Sequence, residues 1–470
     1  MKSSIKEKDV SKPTEEQGTT ALSMTSGVIW KQILSFCVPI MIGALFQQLY
    51  NTVDAVVVGQ FAGKEALASV GGSASQLMSF VYTFFLGLAT GGTVIIAQYF
   101  GAEEPEKVDD ALHTAYTFAV TGGIALGIMG IIFTRRLLKL LDTPDELFEI
   151  SAVYLQVLLA GLVFSLVFNI GSGILRAVGD SKRPLYILVV CCVVNIVLDL
   201  ILVMGFRLGA FGAAIATVFS QAVSAGLITY LMMKKTSGLT LSLTRLHINF
   251  RTLGKILKIG FPTAIAGCMF SVCNIILQAS INRMGIDEVA AFTAYGKIES
   301  IWWMVNQAFS TSVQTFAAQN FGAGNAERIR KGTRTVLLMD GLVSVIMVFA
   351  LVFGCPVLLR LFTTDRDVIA IGIRVMRIIV PFLPVYVIFD ILSATLRAEG
   401  DVLIGTLANL IGVCAFRIIW LIFVFPNGTI DQVVSNYPIS WMLIASILLI
   451  YYLIRQPRIL ESRCGSGWKC

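Results

Sequence analysis

Residues 97–102 read AQYFGA, and residues 318–323 read AQNFGA, 221 positions later. Two further pairs keep that spacing. Leu140–Asp145 (LLDTPD) matches Leu361–Arg366 (LFTTDR), and Arg176–Asp180 (RAVGD) matches Arg397–Asp401 (RAEGD). Earlier in each half the spacing becomes 223, where Lys64–Ala68 (KEALA) meets Asp287–Ala291 (DEVAA). Three matches at one offset mark an internal repeat. The chain is two similar halves in tandem.

Composition says what each half is made of. Of 470 residues, 56% are hydrophobic and only 14% charged, where a soluble domain carries about 25% charged residues. That excludes a water-soluble enzyme, a collagen-like repeat, a coiled coil and a disordered scaffold. Long apolar segments recur, each sufficient to cross a bilayer as a helix. Twelve spans are expected near 28–60, 66–98, 110–134, 147–177, 184–206, 209–233, 254–283, 288–318, 332–355, 368–397, 402–425 and 437–455. The segments are continuously apolar rather than alternating, which argues against a β-barrel.

Each half holds six spans. An even number returns the chain to the same side, so the repeats run parallel, about an axis along the membrane normal. The expected fold is an all-α membrane protein with twelve transmembrane helices in two six-helix lobes related by pseudo-two-fold symmetry. Its parts are a disordered cytoplasmic tail (1–27), a first lobe (28–233), a cytoplasmic linker (234–253), a second lobe (254–456) and a cytoplasmic tail (457–470). Residues 1–27 lack the apolar core of a signal peptide. Lys and Arg are in excess on the side of both termini, which assigns that side to the cytoplasm. The stretch Lys234–Lys258 carries six positive charges and no acid, as a cytoplasmic connector should.

Ionisable groups inside a bilayer cost about 2.5 kcal/mol or more at a helix centre and read as functional. In the first lobe Gln47, Asn51 and Asp54 form one polar stripe on span one. Asn195 and Asp199 lie one turn apart on span five, and Thr217, Gln221 and Ser224 form a stripe on span six. At 1.5 Å per residue, Asp54 lies roughly 9 Å below the outer end of its span, Asp199 roughly 10 Å and Thr217 roughly 12 Å, with Asn195 at roughly 16 Å. Oxygen ligands from three helices would meet in one layer, which suits a hard monovalent cation. Two neighbouring carboxylates also favour proton uptake. The repeat is a control, since Asp54, Asn195, Asp199 and Thr217 align with Leu277, Phe416, Trp420 and Pro438. The fold itself therefore does not demand these four polar groups. The plainer reading is a hydrogen-bonded clamp between helices.

The second lobe carries other stripes. Glu299, Trp303, Asn306, Ser310 and Gln314 share a face of span eight, and Tyr386, Asp390, Ser393 and Arg397 share a face of span ten. They read either as a solute-facing wall, whose rings attract cationic solutes, or as neutralised ion pairs with Lys297 and Arg417. Pro39 in span one, and Pro381 and Pro384 in span ten, should kink their helices. Gly87-x-x-x-Gly91 and Gly123-x-x-x-Gly127 read as helix-packing surfaces. Nine cysteines and two histidines form no metal pattern or disulfide framework. Asn427-Gly428-Thr429 is a glycosylation sequon of little weight.

The run NTVDAVVVG from Asn51, the RAVGD/RAEGD pair, Asn195–Asp199 (NIVLD) and Gly212–Thr217 (GAAIAT) resemble the multidrug and toxic compound extrusion (MATE) family, over about residues 30–455. The resemblance implies a two-lobed antiporter of a bacterial inner membrane. Such proteins export drug-like, often cationic solutes by alternating access, in exchange for Na⁺ or H⁺. It implies a cation site at Asp54, Asn195, Asp199 and Thr217, with Na⁺ a possible occupant. A substrate cavity is expected from Gln47, Asn51, Glu299, Trp303, Asn306, Tyr386 and Asp390. One branch of the family places carboxylates on spans seven and ten. Here span seven offers Gln278 and no acid, so the chain is closer to the branch with Glu299 on span eight. No cofactor beyond the coupling ion is expected. The partners are small organic substrates and the bilayer, with no nucleic acid, and the state is monomeric. The alternative is a lipid-intermediate flippase of the same two-lobed plan, although flippases commonly carry fourteen helices and a basic cavity. A major-facilitator transporter would carry an acidic-basic Gly-rich motif where this chain reads GAEEPEKVDD. An enzyme is not expected, because neither G-x-S-x-G nor H-E-x-x-H occurs.

Overall fold

The computed structural model describes residues 23–234, 239–424 and 428–464, and it is helical almost throughout. In the first half the helices are α1 (Ile29–Phe61), α2 (Gly63–Gly71), α3 (Ser73–Gly101), α4 (Pro105–Leu140), α5 (Asp145–Ala160), α6 (Leu162–Ala177), α7 (Lys182–Asp199) and α8 (Gly209–Met233). In the second they are α9 (Phe250–Ile281), α10 (Ile286–Gly322), α11 (Ala326–Arg360), α12 (Arg366–Ile379), α13 (Leu383–Ala398), α14 (Val402–Asn409), α15 (Phe416–Val424), α16 (Ile430–Val434) and α17 (Asn436–Cys464). Several spans are broken rather than straight. The α5–α6 pair bends by 47°, and a 3-10 turn over Val380–Phe382 at Pro381 separates α12 from α13. A π-helical segment, Leu200–Gly205, extends α7 directly after Asp199. Pro39, by contrast, lies inside α1 without interrupting it.

Counting the α5–α6 pair once, eleven spans are long and apolar enough to cross a membrane. The twelfth is α10, 37 residues long. It is too polar to pass on composition, because it lies inside the protein with Glu299, Asn306, Ser310 and Gln314 buried. The lipid-facing helices show the reverse pattern. Along α11, Leu338, Leu342, Phe353 and Val357 are exposed, an apolar surface that water would not tolerate but a bilayer covers. The fold is the two-lobed, twelve-span arrangement.

The RAxGD repeats mark two equivalent corners. Gly179 and Gly400 take positive φ (87° and 84°) just after α6 and α13, a left-handed helix stop that favours glycine. Asp180 then accepts from the backbone N–H groups of Lys182 and Arg183 at the start of α7, satisfying two of the orphan donors there. At the second corner Asp401 is held by the Tyr451 hydroxyl at 2.5 Å and by Arg455.

The AQxFGA repeats join the lobes to one another. Gln98 Nε2 donates to the Ala398 carbonyl at 2.6 Å, and Gln319 Nε2 donates to the Ala177 carbonyl at 2.7 Å. Each glutamine thus reaches the RAxGD corner of the opposite lobe. The glycines allow the backbones to touch. A Cβ on Gly101 would fall 1.9 Å from the Gln319 carbonyl oxygen, and one on Gly322 would fall 1.8 Å from that of Gln98. Gly87 and Gly91 continue this seam against α9, facing the backbone of Ala264 and Ile256. Gly123 and Gly127 pack within the first lobe, against Val163 and Leu159. The seam lies in the half of the membrane that holds the ends of α3 and α10 and the start of α9.

The first helix of each half crosses over on that side. Ile33, Phe36 and Cys37 of α1 join the second-lobe core, while Val57 and Val58 stay in the first. In mirror fashion Ile256, Ile259 and Ala264 of α9 join the first-lobe core, while Leu277 and Ile281 stay in the second. A boundary at residue 28 therefore does not divide the packing cleanly. The expectation of a disordered tail through residue 27 is corrected for its last residues. Met24 is fully buried. Its N–H donates to Gln319 Oε1 at 2.9 Å, and its carbonyl accepts from Asn320 Nδ2 and Arg328 Nε. Helix α17 likewise runs on to Cys464, past the expected end of the second lobe. Residues 1–22 and Asn427 of the sequon lie outside the described residues.

The linker is tied to α4 through both histidines. His113 Nε2 accepts from the Ser242 N–H, and its Nδ1 donates to the Asp109 carbonyl. His247 faces two acceptors, the Arg245 carbonyl and Asp110 Oδ1, each at 2.9 Å, so both of its nitrogens donate and the ring is cationic. The Arg245 carbonyl, and then Asp110, raise its pKa above the ordinary 6.5. A raised folded-state pKa gives stabilisation that is complete below 6.5 and lost as pH climbs through the raised value. Protection of the linker amides against hydrogen exchange, corrected for intrinsic rates, should therefore be full below pH 6.5 and fall as the pH rises above it. His247→Gln should flatten that dependence.

Candidate functional site

The expected first-lobe residues converge from three helices, although α1, α7 and α8 are far apart in sequence. A cavity of about 600 Å³ opens in the lobe, lined by Gln47, Asn51 and Asp54 of α1 and by Thr217, Ser220, Gln221 and Ser224 of α8. It lies on the half of the membrane opposite the seam. Asp54 and Asp199 are neighbours, close enough for each carboxyl group to feel the other's charge. Asn195 and Asp199 are fully buried, and Thr217 nearly so.

These groups are short of donors. Asp54 Oδ1, both Asp199 oxygens and both polar atoms of the Asn195 amide have no hydrogen-bond partner. Buried polar groups are almost always paired. Two ionised carboxylates in contact repel and cannot both stay charged without a counter-charge. A shared proton would satisfy the pair, as would a small cation held by their oxygens. Asn195 lies one turn before Asp199 on α7, and on α8 Thr217 adds a hydroxyl beside Tyr50. The Tyr50 hydroxyl donates to Thr217 Oγ1 at 3.5 Å.

Three tyrosines belong to this cavity and escaped sequence reasoning. Tyr50, Tyr82 and Tyr154 all line it, and Gln221 Nε2 donates to the Tyr82 hydroxyl at 3.3 Å. Tyr154 lies within electrostatic range of Asp54 and Asp199. Tyr50 alone carried a signal, since it falls on the Gln47–Asn51–Asp54 face.

The remaining expected cavity residues sit elsewhere. Glu299, Trp303, Asn306, Tyr386 and Asp390 gather inside the second lobe, and none of them lines the first-lobe cavity. Trp303 and Tyr386 stack edge to face at 4.8 Å, with Trp302, Phe389 and Trp441 against the same tyrosine. These rings fill a core instead of forming an open wall. Asp390 Oδ2 accepts from Asn306 Nδ2 at 2.9 Å.

The expected ion pairs are not formed among the described residues. Lys297 is exposed. Arg417 is buried, donates from Nε to Ser440 Oγ at 3.3 Å, and lays its guanidinium over the Tyr437 ring at 4.2 Å. No acid lies within ion-pair distance of either. The sequence could not show that an aromatic ring takes the place of the carboxylate.

A family model described as MatE matches the chain twice, over residues 39–201 and 262–423. One match falls in each half, at the spacing of the internal repeat. In Bacillus subtilis (strain 168) the chain resembles "Probable multidrug resistance protein YoeA", at 28% identity over 436 residues, which covers 90% of this chain and 93% of that protein. It also resembles "Probable multidrug resistance protein YpnP" of the same organism, at 30% identity, covering 84% of this chain and 88% of that one. A solved structure described as an outward-facing conformation of a multidrug resistance MATE family transporter superimposes with a TM-score of 0.88. It shares 23% identity and covers 95% of this chain and 100% of that one, a likeness of fold.

Proposed function

Because the chain belongs to the MatE family, we propose that it is an antiporter that exports drug-like, cationic organic solutes in exchange for Na⁺ or H⁺. Members of that family are transporters rather than enzymes, and the chain spans the membrane many times. The observation that carries the coupling is the Asp54–Asp199 pair, two neighbouring carboxyls three of whose four oxygens lack donors. The coupling cation would sit among Asp54, Asn195, Asp199 and Thr217, with the solute against Gln47, Asn51 and the cavity tyrosines. The seam through Gln98 and Gln319 would be the closed cytoplasmic gate, with both termini on that side and the bacterial inner membrane as the setting. The cavity would then face outward, ready to release solute and take up the ion.

Cation and solute would compete for one lobe. Ion binding neutralises the carboxyl pair and removes the negative charge that holds a cationic solute. An exchanger needs that differential affinity between its states. The flippase alternative is not favoured, since the two Bacillus subtilis relatives are named as multidrug proteins and the cavity is lined by one acid, Asp54, and no basic residue.

Proteoliposomes provide the test. Ethidium efflux is followed with an inward Na⁺ gradient, an inward proton gradient, or neither. One gradient is expected to drive efflux at least tenfold faster than no gradient. Efflux indifferent to both would end the antiport reading.

A further inference from the structure

We propose that the first lobe binds one phospholipid, with an acyl chain in an apolar pocket between α3, α4, α5 and α6 and a zwitterionic headgroup on the rim where α4 turns into α5. The pocket has a volume of about 320 Å³, and all fourteen residues that line it are apolar. It neighbours the polar cavity of the same lobe, and Met78 and Phe85 line both. Leu77 and Phe85 stand about 6 and 18 Å from the start of α3, and Leu137 and Leu126 about 5 and 21 Å from the end of α4. The pocket thus lies in the half of the membrane opposite the seam, and its depth matches the hydrocarbon of one leaflet, about 15 Å.

Water does not suit this space. A buried water needs about two to four polar partners, and no polar side chain lines the pocket. An apolar cavity of about 150 Å³ already stays dry and takes up benzene. Hydrocarbon is what reaches the mouth. Phe80, Met129 and Phe133 line the pocket and are also exposed. On α4 the last two border a row of exposed isoleucines, Ile124, Ile128 and Ile132, the surface that a bilayer covers.

The rim supplies partners for a headgroup of both signs. The Arg136 guanidinium lies 5.6 Å from the centroid of the Phe133 ring, a wall of the pocket, and Lys139 follows one turn later. Both are exposed, and neither forms an ion pair among the described residues. Arg135 beside them is committed to Glu149 at 2.8 Å. Across the turn stand Asp142, Asp145 and Glu146, exposed and likewise outside any ion pair among the described residues. A phosphate on Arg136 and Lys139 would meet these acids with like charge, unless its own ammonium group faces them. An ethanolamine-type headgroup satisfies both sides of the turn. The second lobe lacks the rim. At the 221-residue offset Arg136 aligns with Val357 and Phe133 with Gly354, so the fold does not require that pair.

Lipid retention is the test. Purified full-length protein is stripped of lipid in detergent, given equal parts of phosphatidylethanolamine and phosphatidylglycerol, and washed. The remaining lipid is identified and counted per chain by mass spectrometry. One phosphatidylethanolamine per chain is expected to outlast the wash. Leu126→Trp and Leu137→Trp, which place a ring in the pocket, should each retain at least fivefold less. The surface double variant Arg136→Gln/Lys139→Gln should do the same with the interior unchanged, which keeps the test open if the tryptophan variants fail to fold. Leu342→Trp, on the lipid-facing side of α11, should match the parent. No retained lipid in the parent, parent-like retention in the folded pocket or rim variants, or an equal loss in Leu342→Trp would overturn the site. Phosphatidylglycerol held as well as phosphatidylethanolamine would overturn the headgroup assignment. Displacement of the lipid by excess ethidium would give the pocket to the solute and overturn the proposal as well.

Discussion

Asp54→Asn is expected to abolish export while leaving the protein inserted and at least as stable as its parent. The carboxyl of Asp54 faces that of Asp199, and three of their four oxygens have no partner. An amide at position 54 has the same shape but brings two N–H donors. One of them can bond the Asp199 carboxylate, and a hydrogen bond to a charged group contributes about 1.5–3 kcal/mol. The variant therefore gains in the fold what it loses in ion binding. With one carboxylate left, and that one bonded to the new amide, the site loses one of the two charged ligands a coupling cation would use. In cells lacking their own efflux pumps, drug susceptibility should return to that of cells without the transporter, at equal protein in the membrane. Sodium or acid should raise the melting temperature of the parent by mass action, and much less that of the variant. Undiminished resistance in this variant would sink the coupling role of the pair.

Gly322→Ala is expected to hold the lobes apart at the seam. Its Cβ would stand 1.8 Å from the Gln98 carbonyl oxygen, and a backbone atom cannot swing aside as a side chain can. Overpacking a tight contact costs about 1–3 kcal/mol. The alternative, a small separation, forfeits the Gln98–Ala398 and Gln319–Ala177 hydrogen bonds, each about 1 kcal/mol. Either way the closed state loses about 2 kcal/mol, which shifts a two-state equilibrium by roughly thirtyfold. Spin labels on either side of the seam should report a longer distance in detergent, and export should fall at least tenfold because the closed state is scarce. Gly101→Ala, its repeat partner, should behave alike. Gly122→Ala serves as the control, since nothing lies within 4 Å of a Cβ there. Parent-like distances in both seam variants would show that the AQxFGA motifs do not gate.

Some of the site was legible before any coordinates. Asp54, Asn195, Asp199 and Thr217 stood out because polar groups inside apolar helices are costly, and their depths placed them in one layer. The second lobe read less well. The aromatic residues of α10 and α13 looked like a wall for solute and proved to be a packed core. Helical periodicity names a face but not what it meets. Arg417 shows the same limit, since only packing reveals that its guanidinium meets the Tyr437 ring instead of an acid.

By itself the sequence determined the spans and their parallel repeat and singled out the carboxyls of the first lobe, because these follow from local hydropathy and from spacing along the chain. Only the tertiary structure decided what the repeated motifs are for. AQxFGA and RAxGD are conspicuous as text, yet their meaning lies in hydrogen bonds between residues about 140–300 positions apart, across a seam where glycine alone lets two backbones touch. Burial decided the rest, because a group becomes a site only when the surrounding helices deny it water and leave its oxygens without donors.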